Sequence, residues 1–295
     1  MQYVLQTEHL TKTYGKKTVV NDVSMNIEKG DIYGFIGENG AGKTSFMKMV
    51  LGITFPTSGS IKLFEDEDLL EERRKIGSLV ETPALYPSLS AEENLKIYCV
   101  EFGIDDSEIH ELLRLVDLDN TGKLPARKFS LGMKQRLGIA IAMLDNPEFM
   151  VLDEPVNGLD PKGIKDIREL VLKLNHEKKT TFLISSHLLD ELGKIATRYG
   201  IISKGVLVEE LTSEELEKRC SSSVTIKTTD NSKAVEALRN AYHDVEVEEN
   251  GEEISFKSTE IETAELSKTM SENGAYVIEM RVTGKSPEEY FIERM

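Results

Sequence analysis

Val23, Met25 and Ile27 alternate with Ser24, Asn26 and Glu28, the period of two expected of a strand with one buried face. The first thirty residues read as strands throughout. Lys29-Gly30-Asp31 forms a turn, and residues 32–36 form a short apolar strand. A glycine-rich loop follows, then a helix over about 43–51 with Gly52 as its stop. Residues 90–145 read mostly as helices. Two bounded apolar runs, 149–152 and 181–185, have the character of fully buried parallel strands. The helical pattern at 161–176 between them completes a strand–helix–strand unit. Residues 201–207 read as a hairpin turning at Lys204-Gly205.

The periodic pattern breaks near 217–222, where Cys220 is followed by three serines. Beyond it the spacing predicts strand 224–228, helix 232–241, strand 244–249, strand 252–257, helix 260–272 and strand 275–282. Asn250-Gly251 is a strong hairpin signal between the two central strands. The order βαββαβ implies a ferredoxin-like module. A last helix over 286–293 opens on a Ser-Pro-Glu-Glu cap. Two domains are therefore expected, 1–218 and 223–295, with a helical subdomain at about 85–145.

Composition narrows the classes of function. The chain has 295 residues, room for about two domains. Its 39 % hydrophobic content, with 21 glycines besides, suits a packed core and excludes a disordered or collagen-like chain. No apolar run approaches the ~18–20 residues of a membrane helix, and the N-terminus has no basic-then-apolar leader. A membrane role would have to come through a separate chain. The net charge of −16 opposes general binding of a phosphate backbone, so no nucleic-acid partner is expected. Half of that charge lies in residues 221–295, a solvated surface. Cys99 and Cys220 have no metal or redox spacing, which fits a reducing cytoplasm.

The chemistry begins at Gly37-Glu38-Asn39-Gly40-Ala41-Gly42-Lys43-Thr44-Ser45, which matches G-x-x-x-x-G-K-[ST] between a predicted strand and a helix. The glycines let backbone N–H groups face a phosphate, and the helix N-terminus adds partial positive charge. Lys43 can reach the β- and γ-phosphates of a bound nucleotide, and Thr44 can ligand Mg²⁺. The run 149–155 delivers Asp153 and Glu154 to the carboxyl end of a buried strand, where ligands bind in open α/β sheets. Asp153 can hold Mg²⁺ through water, and Glu154 can polarise an attacking water. Ser130 can cap a helix running to about Leu144, and His187 follows the strand ending in Ser185-Ser186.

Taken in order, the glycine loop, the Ser-x-Gly helix start, Asp-Glu-Pro, Asn157-Gly158-Leu159-Asp160 and Ser186-His187 resemble the ABC ATPase family over about residues 1–220. The resemblance implies an ATPase with a P-loop α/β core, an antiparallel β subdomain and a helical subdomain, to which the α+β module is added. It implies ATP and Mg²⁺ as cofactors. It makes Tyr14 the aromatic that stacks on adenine. Ser130 and Gly132 would contact the γ-phosphate held by a second subunit, Asp160 would link the two sites, and His187 would be the switch histidine. Glu154, His187 and Lys43 would be catalytic. The implied partners are a second ATPase subunit, identical or paralogous, and a hydrophobic membrane-spanning permease, which places the chain on the cytoplasmic face of the cell membrane.

Two positions depart from the family pattern. Leu131 and Met133 replace a Gly and the Gln of the usual Leu-Ser-Gly-Gly-Gln signature. Glu81 stands where the family normally has a Gln that ligands Mg²⁺, adding a charge at the metal. Glu81 and the 83–87 stretch resemble the bacitracin-resistance and lantibiotic-immunity subgroup, implying export or expulsion of a peptide antibiotic. An importer ATPase with a ligand-sensing tail is the second reading. A soluble family member acting on ribosomes or DNA is the third, disfavoured by the single phosphate loop and the acidic balance.

Overall fold

The computed structural model describes residues 2–220, 222–242, 247–251, 253–258 and 263–295. The chain divides into two compact units, Met1–Ser213 with Arg294–Met295, and Glu214–Glu293.

The first unit runs β1 (Tyr3–Tyr14), β2 (Lys17–Glu28), β3 (Ile32–Ile36), α1 (Lys43–Val50), β4 (Ser58–Leu63), α2 (Leu69–Glu72) and β5 (Ile76–Leu79). It continues through α3 (Ala91–Phe102), α4 (Ile109–Leu115), α5 (Leu131–Ala142), β6 (Phe149–Asp153), α6 (Pro161–Lys178), β7 (Thr181–Ser186), α7 (Leu189–Gly193), β8 (Arg198–Ser203) and β9 (Val206–Thr212). Two sheets result. β1 lies between β2 and β4, antiparallel to both. The six-stranded sheet has the order β5-β6-β7-β3-β8-β9, parallel except for the antiparallel pair β8–β9.

The alternation at 23–27 explains the packing. Val23, Met25 and Ile27 are fully buried, and they join Phe35, Phe46 and Phe149 in one core. That core clamps α1 between the sheets, with Phe35 and Phe46 ring centroids 5.1 Å apart. The order of the central strands sets the site. β3, β7 and β6 are adjacent and parallel, with Ile36 opposite Ser186 and Asp153 opposite Ser185. Their carboxyl ends therefore open side by side, where ligands bind in such sheets.

The sheet also carries a polar pair, the fully buried Tyr33 and the exposed Glu210. The Tyr33 hydroxyl donates to Glu210 Oε1 at 2.6 Å, and Gly200 leaves room for the ring, since a Cβ there would sit 2.2 Å from Tyr33 Oη. Desolvation raises the Glu210 pKa despite the Tyr33 hydrogen bond and nearby Arg198. A carboxyl whose folded pKa is raised favours the fold at low pH and loses that contribution as pH rises through the folded value. Tyr33→Phe therefore costs about 0.5–1.5 kcal/mol near neutral pH by removing the hydrogen bond to the Glu210 carboxylate. The loss shrinks as pH falls and Glu210 takes up a proton. Urea unfolding of both proteins across that range reads the trend; a pH-independent difference would refute it.

The helices at 90–145 are α3, α4 and α5, with two short 3₁₀ turns between α4 and α5. Ser90 and Glu93 form a capping box at α3. Asn94, fully buried, accepts from the Tyr86 N–H and donates to the carbonyls of Tyr86, Leu89 and Ser90. That knot fixes the loop before α3. The far end of α3 is apolar and exposed, with Val100 84 % and Phe102 60 % accessible. No helix among the described residues is long and apolar enough to cross a membrane.

The second unit contains α8 (Ser213–Cys220), which begins at the division, then β10 (Ser222–Thr228), α9 (Asn231–Ala241), β11 (Val247–Asn250), β12 (Glu253–Ser258), α10 (Thr263–Glu272), β13 (Val277–Thr283) and α11 (Pro287–Ile292). The sheet order is β11-β12-β10-β13, antiparallel at every pairing. Gly251, at φ +65°, turns β11 into β12. Val224, Ile226, Ile254 and Phe256 pack with Leu238 of α9 and Leu266 of α10. The expected starts of a strand at 244 and a helix at 260 fall outside the described residues. The compact units part at 213, ahead of the break expected at 217–222. There Leu216 and Cys220, one helical turn apart, are buried in a continuing helix.

Candidate nucleotide site

The glycine loop joins β3 to α1 and is held by its neighbours. Gly42 is the α1 cap residue at φ +112°, and a Cβ on it would lie 2.4 Å from the Val19 carbonyl oxygen. A Cβ on Gly37 would lie 2.3 Å from the Ile202 carbonyl oxygen. The Gly205 N–H donates to the Ala41 carbonyl at 2.9 Å. Glu38, Asn39 and Gly40 remain exposed at the tip, while Thr44 and Ser45 enter the first turn of the helix.

Lys43 is 5 % exposed, and its ammonium donates to the carbonyls of Gly37 at 2.5 Å and Glu38 at 3.2 Å. It lies 3.4 Å from Glu154 Oε1. That oxygen is buried and accepts no hydrogen bond among the described residues. A buried carboxylate oxygen beside a lysine and without a hydrogen-bond donor is suited to a polar reactant such as water.

β6 and β7 supply the rest. Asp153 is buried; its Oδ2 accepts from Thr44 Oγ1 at 2.7 Å and its Oδ1 from Ser185 Oγ at 2.5 Å. The same Ser185 oxygen accepts from the Glu154 N–H at 2.9 Å. One hydroxyl thus ties the two acidic residues to β7. Glu154 takes a left-handed backbone, φ +50°, which turns its side chain out of the strand direction. His187 Nδ1 lies 2.7 Å from Glu154 Oε2. A carboxylate can only accept, so Nδ1 carries the proton in that bond and Nε2 faces away from it. Lys43, Thr44, Asp153, Glu154 and His187 are thereby joined in one connected set.

Glu81 makes its contact outside this set. Its Oε1 meets Lys48 Nζ at 2.5 Å, one turn of α1 beyond Thr44, and it too has a left-handed backbone, φ +63°. Tyr14 stands exposed at the end of β1, with Lys12 Nζ 4.8 Å from its ring centroid. Ser130 caps α5 by accepting from the Met133 N–H, and Asp160 caps α6 by accepting from the Gly163 N–H. Both caps, with Leu131, Gly132 and Lys162, line an open groove of about 330 Å³. Leu131 packs toward Gly158, where a Cβ would lie 3.0 Å from Leu131 Cδ2. Among the described residues no side-chain hydrogen bond joins this groove to the lysine–carboxylate set. The chain therefore presents the lysine–carboxylate set and, apart from it, this groove.

Ser185 is the residue that reasoning from the sequence missed. Its signal was a polar side chain ending a run of buried apolar ones, next to a candidate histidine. Ser185→Ala leaves Asp153 Oδ1 and the Glu154 N–H without their partner, at about 1–3 kcal/mol. ATP turnover should fall with it. Phosphate release and unfolding midpoint, measured together, check this; an unchanged rate would deny Ser185 an organising role.

This fold and this arrangement of loop, lysine and carboxylates define an ATP-binding cassette. The family model described as ABC transporter matches residues 20–157. The chain belongs to the ATP-binding subunits of the ABC transporter family, whose members bind ATP and Mg²⁺. It is 40 % identical to the bacitracin transport ATP-binding protein BcrA of Enterococcus faecalis, covering 99 % of this chain and 96 % of that protein. It is 46 % identical to the lantibiotic transport ATP-binding protein SrtF of Streptococcus pyogenes, over 70 % of this chain and 90 % of that one. Among solved structures it resembles a dimeric ATP-binding cassette in a post-hydrolysis state bound to ADP and Pi, with TM-score 0.64, 25 % identity and coverage of 71 % and 98 %.

Proposed function

We propose that this chain is the ATPase subunit of a transporter that expels a peptide antibiotic of the bacitracin or lantibiotic class. In this reading two ATPase subunits, identical or paralogous, act on a separate membrane-spanning permease at the cytoplasmic face of the membrane. The observation that carries the mechanism is the joined set of Lys43, Thr44, Asp153, Glu154 and His187. The relatives' transport of bacitracin and lantibiotics supports the substrate class.

Mg²⁺, when bound with ATP, supplies a Lewis acid that draws charge from the phosphate oxygens. Thr44 Oγ1 and Asp153 fit it as hard oxygen donors already facing each other. Lys43 and the loop N–H groups orient the phosphates. Glu154 Oε1 accepts a proton from water, while His187 holds the other oxygen in place. Tyr14 offers its ring to adenine. Ser130, Gly132 and Asp160 serve the nucleotide of the second subunit, which explains their separate groove. Glu81 is held on Lys48 and reaches the metal only if that ion pair opens. The exposed Val100 and Phe102 suit an apolar segment of the permease.

The test is made in the native host. Removing this chain should lower tolerance to bacitracin or a lantibiotic, and wild-type chain, but not Glu154→Gln, should restore it. Unchanged tolerance to both classes, with ATPase activity intact in the purified protein, would sink the substrate assignment and leave the ATPase standing.

A further inference from the structure

Asn-Gly occurs at 39, 157, 250 and 273. In such a pair the second N–H has no Cβ beside it, so its nitrogen can attack the asparagine side-chain amide. The four places differ in what holds the reactants. Asn273 Nδ2 donates to the Thr269 carbonyl at 2.8 Å, and the Gly274 N–H to the Ser271 carbonyl at 3.1 Å. Asn250 lies in the β11–β12 ladder opposite Glu253. Asn39 and Asn157 are exposed. Among the described residues neither their side-chain amides nor the N–H groups of Gly40 and Gly158 make a hydrogen bond.

Asn39 and Gly40 are the central residues of the turn at the tip of the glycine loop. One hydrogen bond, from the Ala41 N–H to the Glu38 carbonyl at 3.1 Å, closes that turn, and Gly40 takes φ +85°, as a type II turn requires. Nothing lies within 4 Å of a Cβ built on Gly40. Opening the single bond frees rotation about the Asn39 Cα–C bond, which brings Cγ onto the Gly40 nitrogen. Gly37 and Gly42 are wedged against the Ile202 and Val19 carbonyls, so this freedom is confined to the tip.

We propose that Asn39-Gly40 is a self-modification site, open in the nucleotide-free chain and closed by bound nucleotide. The Gly40 nitrogen bonds to Asn39 Cγ, and the side-chain amino group leaves as ammonia with the proton that nitrogen gave up. Water then adds to one of the two carbonyls of the five-membered imide and opens it. One opening leaves aspartate; the other leaves isoaspartate, in which the main chain is one methylene longer. Aspartate sets a negative charge where phosphate binds, and isoaspartate shifts the loop N–H groups off it. Bound phosphate engages those N–H groups and removes the nucleophile, a protection that rests on the nucleotide site proposed above. A subunit left without nucleotide retires its own site, and a loaded one keeps it.

Full-length protein is held in EDTA, free of nucleotide, at mildly alkaline pH, and sampled by peptide mass spectrometry. Asn39 should convert to aspartate and isoaspartate about tenfold or more faster than Asn273, where two hydrogen bonds must open first. ADP·Mg²⁺ at about 100 times its Kd leaves about 1 % of the loops free, so it should slow Asn39 about 100-fold. Asn157, outside the phosphate loop, should react at the same rate with and without ADP. ADP-binding stoichiometry, read by calorimetry, should fall with the converted fraction, whereas Asn39→Ser should keep the stoichiometry it starts with. Intact Asn39 after Asn157 has reacted, equal rates at Asn39 and Asn273, or full ADP binding by converted protein would each overturn the proposal. ADP that binds without slowing Asn39 would overturn it alone. ADP that does not bind at all would overturn the nucleotide reading together with the protection.

Discussion

Glu154→Gln should lower ATP hydrolysis by about 10²–10⁴-fold while leaving ATP binding nearly intact. The amide keeps an acceptor oxygen for the His187 Nδ1–H, so the loop and ring should stay in place. Asp153 keeps both of its hydroxyl partners, Thr44 and Ser185, so the metal side of the site is untouched. Lost is the carboxylate oxygen that lies buried and unsatisfied 3.4 Å from Lys43. Binding without turnover should trap the composite site, giving an ATP-dependent association that persists in the variant and is brief in the wild type. Steady-state phosphate release and light scattering with ATP·Mg²⁺ read the two halves separately. Hydrolysis within threefold of wild type would remove Glu154 from the chemistry.

Gly42→Ala should abolish the site by another route. At φ +112° an L side chain is strained by about 1–3 kcal/mol. The added Cβ would also sit 2.4 Å from the Val19 carbonyl, which belongs to β2 and cannot swing aside. The overlap adds a similar penalty, so a loss of about 3 kcal/mol or more is expected. Any relief must come from moving the start of α1, which displaces the Lys43 ammonium from the loop carbonyls. ATP affinity should then fall with stability. Gly40 is the control. Its φ is +85°, yet nothing lies within 4 Å of a Cβ there, so Gly40→Ala should cost only the backbone strain. Calorimetric ATP titration and denaturant unfolding of both variants should separate them. Equal effects would mean that the Val19 contact is irrelevant.

Much of this was legible because local pattern and site coincide. A buried strand, a glycine loop and a helix start are adjacent in sequence, so the loop and Lys43 could be placed without knowing the fold. Asp153 and Glu154 follow the next buried run, and strand order brings the two segments together. What escaped depends on lateral neighbours. Ser185 bridges Asp153 and Glu154 because β6 and β7 lie in register, which no single segment encodes. The partner of Glu81, Lys48, is likewise set by the packing of α1. The β1–β2 hairpin was read as strands, but its several register shifts depend on cross-strand geometry. Leu216 and Cys220 kept α8 helical although the serines beyond them suggested a break.

The left-handed backbone of Glu154 has a consequence for how this sequence can change. Glycine or asparagine would adopt that conformation with less strain, and neither would put a carboxylate oxygen without a hydrogen bond there. Mutational drift toward an easier fold therefore pushes this codon away from glutamate. On the proposed mechanism, selection on turnover holds it there. In a lineage that stopped needing the pump, position 154 would be among the first to be rewritten, well before the aromatic core that clamps α1.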